Sequence, residues 1–563
     1  MKNVKIFAPI KDIDELKFVK NTNCRCVYAD YSLFLCEDSS FFVLNQFIQA
    51  AKENELELFI NFKSSIKENE IVQIKSLLKY LSKTNIDGIL VNSFAILEFI
   101  KSQKVPFKIM IDSGLKIHNL SGIDFVSQFQ KIENINITEE IYIKNIEKIK
   151  KYTKYSLAID SDNLPWLAED LKRDKTIDAI VIKGVFETPD ELIDAISLID
   201  NITQKPKIFK NQKLPFRNTE DAPKRTNHFS GEFLNFDDED FKFRGNIRKY
   251  DWVYKKTRLK PDFAVDTKKI PNLNMRLTSL EQVNTLEKYI EKIGFNPVKS
   301  IEYGEILSTA DLFKGNFNQI IDKVKKFSKQ HKIKLNLSTP RILIERDFDR
   351  VYEYVKLLFT KKPYPASIVV NNIGFWWAII NDDDYEKIKI ELGNGLNLSN
   401  SESMLCLATQ HDVSAIDLSN FSDNDELEAC IKNIGNAIPK KKVTIAGNVR
   451  IPSSGLCPLN NDSAILSRLS CKAPCHKGNY AISNPENTKS FPFVVDGFCR
   501  MHLYKDKILD MYSKIPQFQK MGVNEFIIDC SNLPTGLIPV LLNRFLNSLE
   551  NENYKPDESF ITE

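Results

Sequence analysis

Four of the ten cysteines lie close together, at Cys457, Cys471, Cys475 and Cys499, and the other six are spread through the rest of the chain. Such a local set favours a metal site over disulfides in a chain that is expected to lack a secretory signal. Thiolates at these spacings can converge on an iron–sulfur cluster, because closing loops of this size costs little more than closing shorter ones. Two alternatives stay open: a structural zinc, which more often uses C-x2-C pairs, and buried apolar cysteines.

The charge is nearly balanced at +3 over 563 residues, which argues against a globally basic nucleic-acid binder but leaves room for a local patch. The first apolar stretch, residues 4–10, is too short for a secretory signal. No apolar run approaches the roughly 18 residues that a membrane-spanning helix needs. We therefore expect a cytoplasmic protein without a membrane partner, built from about two to four domains.

Short runs rich in β-branched residues alternate with longer helical stretches and predict parallel sheets. Eight such units in each half of the chain fit the (β/α)8 barrel, so the predicted fold is α/β with two tandem TIM-like barrels. The strands predicted for the first barrel are 4–10, 24–31, 56–62, 88–93, 107–112, 122–129, 156–160 and 178–184. Those predicted for the second barrel are 274–279, 298–304, 334–340, 367–372, 388–398, 415–420, 442–448 and 524–530.

Local similarity between the halves indicates a duplication. The sequence GILVN at 88–92 parallels SIVVN at 367–371, and LKIHN at 115–119 parallels LNLSN at 396–400. Both pairs are separated by about 280 residues, and a constant separation marks an internal repeat.

The halves differ between their seventh and eighth strands. The first has a short connection, 161–177, whereas the second has an insertion, 449–523, that contains all four clustered cysteines. A loop that leaves the carboxyl end of a barrel strand lies on the face where barrel active sites form. The second barrel is therefore predicted to carry the chemistry, and the first to lack it and to offer a partner surface.

The predicted domains are a first barrel (1–204), an intervening segment (205–265) and a second barrel (266–563). Residues 205–260 combine 15 Lys or Arg and eight Asp or Glu with many aromatic residues. This composition suits single-stranded RNA, whose bases stack on aromatic rings. The acidic run 237–240 favours the alternative, an ordered insertion whose aromatic residues pack on the barrels.

Several segments resemble the peptidase U32 family, also called collagenase-like proteases. They are GNVRIPSSGLCP (447–458), CKAPC (471–475) and FPFVVDGFCR (491–500), with upstream segments 396–401 and 415–419. Segments 6–10 and 109–114 of the first half resemble the family more faintly. The resemblance thus covers most of both barrels and is strongest over 365–530.

The resemblance implies a 4Fe–4S cluster held by Cys457, Cys471, Cys475 and Cys499. It also implies oxygen-independent hydroxylation of an RNA base or a small aromatic substrate, with prephenate as oxygen donor, and a partner that is another U32-family chain. The commonest family pattern opens with two cysteines seven residues apart, whereas this chain has only Cys457 there. A peptidase and a non-catalytic scaffold with a structural cluster are the alternatives.

Arg450 follows the seventh predicted strand of the second barrel, beside the cysteine segment. A guanidinium there would clamp a dicarboxylate such as prephenate, or would instead bridge loop carbonyls. Asn371, Asn400 and Ser419 lie at or near carboxyl ends of predicted strands and are expected to line the same pocket. The catalytic residue is not assigned, and the sequence contains neither H-E-x-x-H nor G-x-S-x-G.

Overall fold

The structure is a computed structural model, and it describes most of both predicted barrels. The residues described are 4–35, 41–63, 65–101, 103, 105–129, 132–137, 143–161, 177–184, 186–204, 242–245, 265–305, 317–360, 362–421, 423–454, 480–483, 490–551, 554–555 and 560–561. Within these ranges, no helix has the length and apolar character needed to cross a bilayer.

The first half of the chain forms a closed barrel of eight parallel strands in chain order, in which the first strand pairs with the eighth. The strands are β1 (Lys5–Pro9), β2 (Cys26–Asp30), β3 (Glu57–Phe62), β4 (Gly88–Val91), β5 (Lys108–Ile111), β6 (Ile132–Ile137), β7 (Ser156–Asp160) and β8 (Ala179–Val181). The helices around them are α1 (Ile13–Val19), α2 (Phe42–Glu53), α3 (Ile71–Leu81), α4 (Phe94–Lys101), α5 (Leu120–Ser127), α6 (Ile143–Tyr152) and α7 (Pro189–Gln204).

One predicted strand of the first barrel is wrong. Residues 122–129 belong mostly to helix α5, and the sixth strand is β6, which the sequence analysis missed. The Asn119 side chain starts the helix by accepting a hydrogen bond from the backbone N–H of Gly122 at 2.9 Å. Ile123 and Val126, three residues apart, then share the buried face of the helix.

The second half forms the second predicted barrel, again with eight parallel strands. They are β10 (Leu273–Leu277), β11 (Ser300–Tyr303), β12 (Lys334–Ser338), β13 (Ser367–Val370), β14 (Ile390–Leu392), β15 (Val413–Asp417), β16 (Lys440–Ser454) and β20 (Glu525–Asp529). The pairings of β15 with β16, β16 with β20 and β20 with β10 close the barrel. The helices are α8 (Leu280–Ile293), α9 (Phe317–Gln330), α10 (Glu345–Leu358), α11 (Ile373–Ile380), α12 (Ser401–Ala408), α13 (Asn424–Ile434), α14 (Ile515–Met521) and α15 (Leu537–Glu550).

Strand β16 is far longer than a barrel strand needs to be, and its second half continues into the insertion. There it pairs antiparallel with β19 (Met501–Asp510), which pairs with β18 (Ser490–Val495), which pairs with β17 (Tyr480–Ser483). Strand β9 (Lys242–Gly245), from the intervening segment, pairs with β17, and β21 (Phe560–Ile561) pairs with β19. The cysteines Cys457, Cys471 and Cys475 and most of 205–260 lie outside the described residues.

The two barrels pack through equivalent helices related by an approximate twofold axis. Helix α4 packs on α12, and α5 packs on α11. The ring centroids of Phe125 and Trp376 lie 5.6 Å apart in an edge-to-face arrangement. Gly374 of α11 lies so close to α5 that an added Cβ would come within 1.9 Å of the Asn119 Oδ1. Close helix approach and a buried aromatic pair therefore join the barrels.

The same approximate symmetry relates two buried glutamates. Glu68 of the first barrel accepts a hydrogen bond from the backbone N–H of Ser401, at the start of α12, at 2.8 Å. Glu345 of the second barrel accepts one from Leu120, at the start of α5, at 2.9 Å. Each carboxylate thus reaches across to a helix N-terminus of the other barrel, where the helix dipole favours negative charge.

Replacing Glu68 with Ala should lower the free energy of unfolding by about 2–3 kcal/mol, because three hydrogen-bond donors of the other barrel, two of them on the buried Ser401, lose their acceptor. Those donors are the N–H and hydroxyl of Ser401 and the amide of Asn433, which lies 2.7 Å from Glu68. Urea unfolding followed by circular dichroism measures the change. Glu53→Ala on the exposed face of α2 is the control and should stay within about 0.5 kcal/mol of wild type. Equal stability of the two variants would contradict the role of Glu68.

Candidate active site at the mouth of the second barrel

A buried arginine forms the centre of the second barrel. Strand alternation turns Arg276 of β10 inward, and its side chain is only 4% exposed. Its guanidinium donates to Glu302 at 2.9 Å, to Asp529 at 2.8 Å and to Asp417 at 2.9 Å. The three carboxylates come from β11, β20 and β15, so this one side chain ties together strands that are distant along the chain.

A second cation lies nearer the amino ends of the strands. The ammonium of Lys442 contacts Glu391 and lies 3.6 Å from both Glu302 and Glu525. Burial alone would lower the pKa of Lys442, but these carboxylates raise it above its ordinary value, so the side chain remains charged. The barrel interior is thus filled largely by paired charges, which cost desolvation free energy that an apolar core would avoid.

A carboxylate held between two arginines lies at the carboxyl ends of the strands. Arg341 donates to Glu305 at 2.6 Å, and Arg450 donates to both oxygens of Glu305, one of them at 3.0 Å. Burial would raise the pKa of Glu305, but Arg450 and Arg341 outweigh it and hold the pKa below its ordinary value. Two guanidinium groups and one carboxylate leave this group with a net positive charge.

Two buried polar atoms beside this group are unsatisfied within the described ranges. They are the Nε of Arg450 and the hydroxyl of Tyr504, two residues that are cross-strand partners in β16 and β19. The guanidinium carbon of Arg450 lies 6.0 Å from the centre of the Tyr504 ring. Buried polar atoms almost always have a partner, so their position indicates a place for water or a ligand.

The turn that carries Cys499 is held firmly beside the same mouth. The Asp496 Oδ1 accepts from the backbone N–H of Phe498 at 2.8 Å and of Arg500 at 3.0 Å, and its Oδ2 lies 3.0 Å from the His502 Nε2. Arg500 in turn donates to Asp347 of α10 at 3.0 Å, which anchors the turn to the barrel. These contacts hold Cys499 at φ 64°, a left-handed conformation that is costly for a residue other than glycine.

The structure places three of the four predicted pocket residues around the mouth. Arg450 lies there, bound by Glu305. Ser419 follows β15 and contacts Asp417 and the Thr444 hydroxyl, the latter at 2.8 Å. Asn371 follows β13, where it donates to the Ser338 hydroxyl at 3.0 Å and accepts from the Gly395 N–H.

Asn400 lies instead between the barrels, where it caps α12 and donates to the carbonyl of Ile66 at 3.0 Å. Its side chain therefore contacts the first barrel and does not line the mouth of the second. Of the predicted metal ligands, Cys499 is placed and the other three lie outside the described residues. Within the described part of the chain, no group of three or more His, Cys, Asp or Glu could hold a metal ion.

The sequence analysis missed the residues that contribute most charge to this site. They are Arg276, Glu302, Glu305, Arg341, Asp417 and Asp529. Four of them have a signal in the sequence, because Arg276, Glu302, Asp417 and Asp529 are ionisable residues within short, largely apolar strands, as in LNMRL and EFIID. A charge at an inward strand position requires a partner, and such positions concentrate at functional sites.

The fold and the site define a tandem (β/α)8-barrel protein with a charged mouth on its second barrel. The family model for peptidase family U32 matches residues 23–160, which span most of the first barrel. This match confirms the U32 resemblance seen in the sequence, and it falls in the half where that resemblance is fainter. No curated protein matches the chain.

Three solved structures show partial likeness. The U32 peptidase Mk0906 has 11% identity over 34% of this chain and 96% of its own, with a TM-score of 0.26. An uncharacterized B. cereus protein has 14% identity over 34% of this chain and 64% of its own, with a TM-score of 0.23. GGGPS from Thermoplasma volcanium has 12% identity over 36% of this chain and 92% of its own, with a TM-score of 0.23. At these TM-scores the likenesses support no argument.

Replacing Glu305 with Gln should destabilise the protein by about 3 kcal/mol at neutral pH, because Arg341 and Arg450 are left as buried, uncompensated cations. The pKa of Glu305 is lowered in the folded state, so its stabilisation is present above the ordinary glutamate pKa of about 4.3 and fades as the pH falls below it. Urea unfolding of wild type and variant at neutral pH and at about pH 3.5 measures both effects.

The exposed Glu386→Gln is the matched control and should behave like wild type at both pH values. A stability difference between wild type and Glu305→Gln that does not shrink on acidification would contradict the ion-paired state of Glu305.

Proposed function

We propose that this chain is an iron–sulfur protein that hydroxylates an RNA base or a small aromatic substrate without molecular oxygen, with prephenate as oxygen donor. The cluster would be 4Fe–4S, held by Cys457, Cys471, Cys475 and Cys499. The observation that carries the proposal is that β16 runs from the barrel, through Arg450, into the cysteine segment, and that the chain returns through the anchored Cys499 turn. The insertion thus leaves and re-enters at the charged mouth.

The geometry of Cys499 supports a ligand role for the described member of the set. Its side chain is partly buried against the apolar residues of the antiparallel extension, including Val495 and Met501. Its left-handed backbone is maintained by contacts that converge on Asp496. Strained backbone maintained by its surroundings is typical of ligand and active sites, and a preorganised thiolate loses little freedom on binding metal. The cluster would supply redox and Lewis-acid chemistry at this point.

The positive group around Glu305 supports an anionic co-substrate. Arg341 is 19% exposed, whereas Arg450 is 4% exposed and already faces both oxygens of Glu305. We therefore assign the first contact with a carboxylate to Arg341, and to Arg450 the task of holding Glu305 and orienting the pair. A planar guanidinium can hold a carboxylate through two hydrogen bonds, and the net positive charge compensates for the desolvation of the anion.

Strand β9 supports an RNA substrate. It pairs with β17 of the insertion and so ties the basic, aromatic segment to the antiparallel extension. The cationic and aromatic residues of such a segment would hold a single-stranded region, from which a base can be presented for reaction. A peptidase and a structural cluster without activity are the alternatives that the following experiments separate.

Protein purified without oxygen should contain iron and sulfide and should absorb visible light as iron–sulfur clusters do. Replacing Cys499 with Ser should remove most of the iron, because a hydroxyl does not replace the thiolate. Metal and sulfide analysis measures the loss. Cys430→Ala is the control: Cys430 is buried in α13, beside Met404, and its replacement should leave the iron content unchanged. A colourless protein that contains zinc would overturn the proposal.

Prephenate should bind the wild-type protein, and Arg341→Ala should weaken that binding by roughly 2–4 kcal/mol because a buried carboxylate loses its cation. Arg450→Ala should weaken it less, because Arg450 acts through Glu305. Calorimetry measures the affinities, with Lys389→Ala as a control that removes an exposed cation just before β14, at the opposite end of the barrel. Absence of binding to wild type would refute prephenate as the co-substrate.

The same variants then test the reaction itself. Anaerobic incubation with prephenate and RNA, followed by mass spectrometry of the nucleosides, should show one added oxygen atom with wild type and with Lys389→Ala, and a reduced yield with Arg341→Ala. Peptide cleavage without any nucleoside product would favour the peptidase alternative.

A further inference from the structure

The mouth of the first barrel contains a ring of polar side chains that no part of the proposed function uses. Its members lie at the carboxyl ends of seven of the eight strands or directly after them. They are Asp30, Asn61, Asn92, Asp112, Asn136, Asp160 and Lys183. The carboxyl ends of barrel strands are where ligands bind in this fold. The sequence analysis predicted that this barrel lacks the chemistry of the second and offers a partner surface.

Hydrogen bonds run continuously around the ring. Asn61 donates to Asp30 at 2.8 Å, and Asn92 donates to Asn61 at 3.1 Å and to Asp112 at 2.9 Å. The Asn136 amide donates to Asp112 and to Asp160, both at 2.6 Å. Such a network holds its members in fixed orientations, which is the preorganisation that a binding site needs.

The charges at the centre of the ring do not balance. The ammonium of Lys183 lies 2.6 Å from Asp112 and 3.7 Å from Asp160, and both carboxylates are only 1% exposed. Burial alone would lower the pKa of Lys183, but these aspartates raise it well above its ordinary value, so Lys183 is a cation. Among the residues that the structure describes, these two buried carboxylates and one ammonium leave a net charge of about −1 away from water, which is costly unless a further cation compensates it.

Two oxygen atoms of the ring have no hydrogen-bond partner among the residues that the structure describes. They are the Oδ2 of Asp160 and the Oδ1 of Asn136, on side chains that are themselves hydrogen bonded to each other. Both side chains are at least 99% buried, and both atoms are acceptors. A ligand that satisfies them must therefore bring N–H or O–H donors, and the net charge calls for a positive one.

The ring is partly exposed to solvent beside β2 and β3. There the side chain of Asp30 is 33% exposed and that of Lys63, its partner at 2.8 Å, is 50% exposed. Within the described ranges, no group of three or more His, Cys, Asp or Glu could hold a metal ion, and the two acceptor atoms suit the N–H donors of an organic cation. From these observations we infer that the mouth of the first barrel binds a small organic cation with N–H donors, such as a primary ammonium group.

Protons should compete with this ligand. Burial, opposed by Lys183 and reinforced by Asp112, raises the pKa of Asp160 to about 6. The groups that face Asp160 are Asp112 after β5, Lys183 after β8, Tyr28 from β2 and the Ser113 hydroxyl, and Tyr28 stays neutral because burial raises its pKa. Below about pH 6, Asp160 takes a proton, the net negative charge disappears and binding should weaken.

Calorimetric titration with methylammonium chloride tests this inference on the full chain. Wild type should show saturable binding at about pH 7.5, weakened roughly fourfold at about pH 5.5 because fewer molecules carry an ionised Asp160. The isosteric Asp160→Asn should bind at least about tenfold more weakly, and that loss should not depend on pH. Tetramethylammonium, which is cationic but has no N–H donor, should bind poorly, and neutral glycerol should not bind.

Asp87→Asn is the matched control. Asp87 is also an aspartate whose pKa is raised by burial, but it precedes β4 at the opposite end of the barrel, and its replacement should leave binding unchanged. Because the pH dependence uses wild type alone, the inference remains testable even if Asp160→Asn fails to fold. Absence of saturable binding, equal binding at both pH values, or binding of glycerol in place of methylammonium would overturn it.

Discussion

Ionised side chains buried away from water must be paired, and this constraint shapes both barrels. In the second barrel, Arg276 contacts carboxylates from three other strands, and Lys442 contacts three glutamates. In the first barrel, Lys183 lies between Asp112 and Asp160. Each of these charges, if left unpaired, would carry a large desolvation cost. Paired charges in a barrel core add little stability, so their presence points to the mouths as sites of recognition.

The same constraint joins the barrels. Glu68 and Glu345 each cross the approximate twofold axis to reach the first residue of a helix in the other barrel. The capping asparagines Asn119 and Asn400 reinforce these contacts by donating across the interface, to Leu343 and Ile66 respectively. The first barrel is thus fixed to the second through polar contacts that are buried and reciprocal. A duplication that retained this interface would preserve the relative orientation of the two barrels.

Duplicated barrels can diverge at their mouths while they retain the framework beneath. Asn92 and Asn371 follow equivalent strands, and each accepts a hydrogen bond from a glycine N–H in the next loop, at 2.9 Å from Gly114 and 3.1 Å from Gly395. Above this shared framework the first mouth contains aspartates around one lysine, and the second contains arginines around Glu305. The ligands proposed above differ accordingly, an organic cation for the first mouth and an anion for the second.

The continuation of β16 past the rim of the barrel explains how an insertion can serve the second mouth. Because the strand does not end where its barrel pairing ends, it carries Arg450 from the parallel sheet into the antiparallel extension. Its partner β19 runs antiparallel to it and places Tyr504 and His502 across from β16. A rigid strand positions these side chains better than a flexible loop would.

Much of this architecture could be predicted from the sequence, because the regular spacing of apolar residues in strands and helices is a local property. Fifteen of the sixteen barrel strands were located. The exception, 122–129, contains apolar residues that suit either a helix or a strand, and the Asn119 cap decides for the helix. The ionisable residues that face inward could also be found in the sequence, but the residues that pair with them could not. Arg276 and Asp529 are 253 positions apart, and Asn400 and Ile66 are 334 apart. Only closure of the barrels and their packing bring such residues together, because the choice of partner depends on distances that no local pattern contains.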